Sequence, residues 1–131
     1  KRFSKEVLVH RPDVLFIDYA LNDRRIGLEK AKTSTEKMIR KALKRNIPVI
    51  LLTSSPDVKV DITSPDNILG QFSEQLRDVA RQHAVGLADS YESFRAVALK
   101  GEDMRAYMSQ CNHPNEQGHA LIAKEVIEYF K

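Results

Sequence analysis

The chain has 131 residues, 42% hydrophobic and 30% charged, a balance that supports one folded domain with a single core and excludes a second of ordinary size. No apolar run approaches the roughly 20 residues of a membrane-spanning helix, and the opening residues lack the order of an export signal. The net charge of +3, from 21 basic against 18 acidic residues, is interleaved along helical stretches, and the local excess from Lys37 to Arg45 has no aromatic residues within it, so no nucleic-acid partner is expected.

The opening segment, with Phe3 and Val7, predicts a helix leading into a strand. Residues 14–19 (Val-Leu-Phe-Ile-Asp-Tyr) and 48–53 (Pro-Val-Ile-Leu-Leu-Thr) are continuous apolar runs of strand length, as fits parallel strands covered on both faces. Between them Leu28, Ala31, Met38, Ile39, Ala42 and Leu43 mark one face of a helix that ends near Asn46, a C-cap ahead of Pro48. This is a βαβ unit. A loop rich in Ser, Pro and Asp, from Ser54 to Asp66, leads to a second helix with Phe72, Leu76, Val79 and Ala80 on one side, then to a short strand around 85–88. Asp89, with Glu92 three residues on, marks a helix start; Tyr91, Phe94 and Ala98 share one face and Gly101 ends it. A last helix spans about 116–130, with Ile122, Ala123, Val126 and Phe130 inward.

Strands alternating with helices imply a three-layer α/β/α, flavodoxin-like parallel sheet, with ligands at the carboxyl ends of the strands. Three strands are few for such a sheet, and the chain opens on Lys1 rather than Met. Residues 1–131 are therefore expected to be the C-terminal portion of a single domain, with further strands ahead of Lys1 and the compartment left open. The sheet edge so exposed is expected to drive homo-oligomeric or swapped association.

Two polar stretches fall where such a sheet places function. Asp18-Tyr19-Ala20-Leu21-Asn22-Asp23-Arg24 follows the first strand, and Gln110-Cys111-Asn112-His113-Pro114-Asn115-Glu116-Gln117-Gly118-His119 precedes the last helix. Together and in this order they resemble the third and fifth sequence blocks of the SGNH hydrolases, the GDSL-like lipases and acylhydrolases. The resemblance implies the SGNH hydrolase fold and hydrolysis of a small-molecule ester such as an acylated carbohydrate or lipid, with no metal or organic cofactor. In the family's Gly-x-Asn-Asp block the Asn amide donates to the oxyanion, so Asn22 takes that role, with Ala20 where glycine is usual. In its Asp-x-x-His-Pro-Asn-x-x-Gly-His block the first His is the general base, which makes His113 the candidate catalytic base. Gln110 stands in place of the acid; its carbonyl can orient the imidazole but brings no charge. The family's first two blocks have no counterpart here, so the nucleophilic serine is expected ahead of Lys1 and the chain alone is expected to be inactive.

Each residue also has a plainer reading. Asn22 is a good turn former, and His113 before Pro114 fits an ordinary loop histidine. His113 and His119, with Pro and Gly between them, make a poor metal pair, and no carboxylate completes a site. Asn115 and Asp89 read as helix caps, Gly118 as a packing glycine, and Asp18 and Asp23 as turn residues at the strand end. Cys111, the single cysteine, is too close to His113 in the chain to form a nucleophile–base pair. The alternative in another class is a non-catalytic α/β module that binds a ligand or partner at the strand ends. A nucleotide or phosphoacceptor domain is disfavoured by the lack of a Gly-rich phosphate loop.

Overall fold

The computed structural model describes residues 2–131. Three short strands pair in parallel: β1 (Leu15–Ile17), β2 (Val49–Leu52) and β3 (Gly86–Ala88), in the order β1-β2-β3. Phe16 lies opposite Ile50, and Leu51 opposite Leu87. The helices are α1 (Ala20–Asp23), α2 (Leu28–Leu43), α3 (Ile68–His83), α4 (Ser90–Leu99) and α5 (Glu116–Ile127), and a two-stranded antiparallel hairpin, β4 (Met108–Gln110) with β5 (His113–Pro114), precedes α5. Among the described residues, no helix is long and apolar enough to cross a membrane.

Alternation along the strands divides the core. Leu15, Ile17, Val49 and Leu51 turn to one face and pack with Ala31, Ile39 and Ala42 of α2 and Phe72, Leu76, Val79 and Ala80 of α3. Ile50, Leu52 and Ala88 turn to the other, with Val14 and with Ile122 and Val126 of α5. A third cluster, Ile62, Leu69, Tyr91 and Phe94 with Leu21, Tyr107 and Leu121, closes the carboxyl-end side. Caps stop the helices where the sequence places them. Asp89 accepts the Glu92 N–H at 3.4 Å, and beyond α2 the chain turns through left-handed Asn46 (φ 56°).

The predicted strands and helices are all present, with differences at their ends. The opening segment winds as a π-type turn (Phe3–Val7) and a 3-10 turn (Leu8–His10). Leu43 is 40% exposed, because the inward stripe of α2 runs through Ala31, Thr35, Ile39 and Ala42 and leaves Leu43 beside it. The last helix ends as an α-helix at Ile127 and tightens to a 3-10 turn over Glu128–Phe130. Ala123 is exposed and Phe130 is 61% exposed, so of the four inward positions expected there only Ile122 and Val126 reach the sheet. The β4–β5 hairpin has no strand-like apolar run in the sequence and was expected as a loop.

Candidate active site

Because the sheet is parallel, the segments after β1, β2 and β3 all emerge at one rim. After β1 the chain turns at once into α1, with the Asn22 and Asp23 N–H groups both donating to the Tyr19 carbonyl at 2.9 Å. Ala20 takes ordinary helical backbone and is 3% exposed, so its methyl group is accommodated without left-handed strain. Asn22 is exposed on this turn. Burial pushes the carboxyls of Asp18 and Asp23 above the usual carboxylate range, although Asp18 as a residue remains exposed.

His113 stands on β5, directly across the ladder from Gln110. Ser109 Oγ donates to the His113 carbonyl at 3.0 Å and pins the short strand. Asn115 caps α5, accepting the Gly118 N–H at 3.1 Å while its amide donates to the Ala106 carbonyl at 2.8 Å. Gly118 is needed for close approach: a Cβ there would lie 2.3 Å from the Tyr107 carbonyl oxygen. The hairpin is thereby seated on the first turn of α5. The His113 imidazole is exposed, and among the described residues it makes no hydrogen bond to Gln110 or to any carboxylate.

The segment after β2 joins these two regions, and sequence reasoning did not single it out. Asp57, 6% exposed, is paired with Arg24 Nη1 at 3.0 Å, and the Val58 N–H donates to the Cys111 carbonyl at 2.7 Å. Arg24 lies two residues from Asn22 and Cys111 two residues from His113, so one loop touches both blocks at the carboxyl-end rim. Pro56-Asp57 ahead of Val58-Lys59-Val60 was the available signal, but it reads as an ordinary turn. The base of the loop is braced by Thr53, whose Oγ1 donates to Asp89 at 3.0 Å, and by Arg77, held charged by two bonds to the same carboxylate.

Two serines at this rim, Ser54 and Ser90, serve the fold. Ser54 is fully buried with Oγ donating to the Ser55 carbonyl at 2.8 Å, and Ser90 Oγ donates to the Thr53 carbonyl at 3.1 Å. His119 is exposed on α5, and among the described residues no group of three His, Cys, Asp or Glu side chains gathers to hold a metal ion.

The profile of the GDSL-like Lipase/Acylhydrolase family matches residues 1–121. The chain belongs to that family. Its fold is that of SGNH hydrolases of known structure. It superposes on an acetyl xylan esterase, AlAXEase, with a TM-score of 0.79 at 22% identity, covering 99% of this chain and 73% of the other. The acetylxylan esterase Axe2 from Geobacillus stearothermophilus gives 0.78 at 16% identity, covering 97% and 63%. A putative GDSL-like lipase from Parabacteroides merdae ATCC 43184 gives 0.77 at 18% identity, covering 97% and 64%. The chain thus spans 73%, 63% and 64% of the length of these three proteins. No curated protein matched it.

Proposed function

We propose that this chain supplies the general base, His113, and one oxyanion donor, Asn22, of a serine esterase whose nucleophile lies outside these 131 residues. One observation supports the reading above the others: the turn carrying Asn22 and the hairpin carrying His113, far apart in sequence, are joined at the same rim through Arg24, Asp57, Val58 and Cys111. That Ser54 and Ser90 are buried and bonded into the fold also favours a nucleophile from elsewhere.

In the intact enzyme the serine Oγ attacks the ester carbonyl as His113 takes its proton. The carbonyl oxygen gains the negative charge and accepts a hydrogen bond from the Asn22 amide. Collapse expels the alcohol, which receives the proton from His113, and leaves an acyl-enzyme. Water, deprotonated by the same imidazole, then releases the carboxylic acid and restores the serine. Gln110 lies across the ladder from His113 without a bond to its ring and carries no charge, so in this reading His113 and the serine act as a dyad without a charged third member. The substrate is a small ester such as an acylated carbohydrate or lipid, and the reaction so written needs no metal or organic cofactor.

The test is hydrolysis of p-nitrophenyl acetate by the intact protein. Asn22→Ala should lower turnover by about 10²- to 10³-fold, as loss of one oxyanion donor does, and His113→Ala by more, because no other group activates the hydroxyl. Wild-type turnover in His113→Ala would remove the assignment. The uncharged Gln110, and an imidazole without a hydrogen bond among the described residues, favour one second reading, a binding module that has lost catalysis. It predicts background turnover and no fluorophosphonate labelling in the intact wild type.

A further inference from the structure

Neither proposed reacting group is fixed by its own side chain. Asn22 and His113 are exposed, and among the described residues neither the amide nor the imidazole has a hydrogen-bond partner within the protein. Their relative position is set by the backbone that carries them. Arg24 folds back over the Asn22 turn, with Nε donating to the Leu21 carbonyl at 3.0 Å and Nη1 to Asp57 Oδ2 at 3.0 Å. The other Asp57 oxygen accepts the Lys59 N–H at 3.0 Å, closing an Asx turn. Inside that turn the Val58 N–H donates at 2.7 Å to Cys111, in the tight turn just ahead of His113.

We propose that Arg24 and Asp57 are positioning residues, a clamp that sets the Asn22 donor against the His113 base; the inference rests on the esterase reading. A buried ion pair is a poor source of stability, since well-packed apolar side chains hold a loop as well. What the pair adds is direction: a guanidinium with two fixed acceptors and a carboxylate with two fixed donors leave the loop one arrangement. Catalysis is sensitive to that arrangement, because a displacement of about 1 Å costs on the order of 10²-fold in rate. The clamp touches no substrate and acts only through the groups it places.

The experiment uses the intact esterase with three variants, Asp57→Asn, Asp57→Glu and Arg24→Lys, and expresses kcat per active site titrated with a fluorophosphonate. Asp57→Asn should lower kcat by about 10²-fold with KM nearly unchanged, the pattern of an interaction felt in the transition state. Arg24→Lys keeps the charge but loses the fork, and should fall between. If all three variants keep the wild-type kcat per titrated site while Tm drops, the pair is structural and the proposal is overturned. Should Asp57→Asn fail to fold, Asp57→Glu decides, because it keeps the charge and moves the carboxylate by one methylene. In ¹⁵N NMR spectra the same variant should shift the Asn22 side-chain amide and the His113 ring signals together, and stationary signals at both would equally overturn the clamp. An inactive wild type refutes the esterase reading itself, whereas an active wild type with unaltered variants refutes only the clamp.

Discussion

The two faces of the sheet are finished to different degrees. On the side of α2 and α3, two strands contribute buried side chains, Leu15 and Ile17 from β1 and Val49 and Leu51 from β2, and Leu87 of β3 packs against them partly buried. On the side of α5, coverage stops part-way. Ile50, Leu52 and Ala88 are buried, but Phe16 is 39% exposed and its aromatic neighbour Phe130, with ring centroids 6.3 Å apart, is 61% exposed. The edges repeat the contrast. At β3 the Tyr129 hydroxyl accepts the Leu87 N–H at 2.6 Å and donates to the Leu87 carbonyl at 2.9 Å, so a side chain stands in for a neighbouring strand. At β1 no strand pairs on the outer side among the described residues. An amphipathic helix can close one half of a face, but an unpaired strand edge needs backbone groups to close it. It is on the β1 side that the expected association would act.

This contrast can be broken by comparing matched truncations. Ile39, fully buried between α2 and the sheet, should lose about 2–5 kcal/mol on Ile39→Ala, measured by urea unfolding. Phe130→Ala, on the open side, should cost less than about 1 kcal/mol despite removing a larger side chain. Equal losses would mean that the two faces are equally packed. At the closed edge, Tyr129→Phe removes both bonds to Leu87 while keeping the ring, and should cost about 1 kcal/mol with faster amide exchange at Leu87. Unchanged exchange there would show that the phenol does not close the strand.

The smallest effect concerns charge at the end of β1. Burial raises the Asp18 carboxyl above its unfolded value, so between the two values the folded chain holds more protons and stability falls as pH rises through the folded pKa. Asp18→Asn should therefore raise Tm slightly near pH 7, and the gain should vanish below the ordinary carboxylate range. A gain that persisted at low pH would have a cause other than charge. The effect is small because the residue is still open to solvent.

What the sequence alone determined is what adjacent residues decide among themselves. Within the apolar runs at 14–19 and 48–53 strands formed at Leu15–Ile17 and Val49–Leu52; β2 is buried on both faces as the run implied, whereas β1 buries Leu15 and Ile17 and leaves Phe16 exposed. The Asp89 and Asn115 caps formed because each side chain reaches an N–H three residues on. The two blocks holding Asn22 and His113 were legible for the same reason, being continuous strings that match a family pattern. Tertiary structure alone decided the rest. Whether Phe130 and Ala123 face the sheet depends on where the helix axis lies over it, which a periodicity does not specify. Likewise β4 and β5 exist because Asn115 and Gly118 seat the hairpin on α5, and neither strand has an apolar run to announce it. Asp57 looked like one turn residue among several; it became the link between Arg24 and the His113 hairpin only when folding brought three distant segments to one rim, where the buried carboxylate pairs with Arg24.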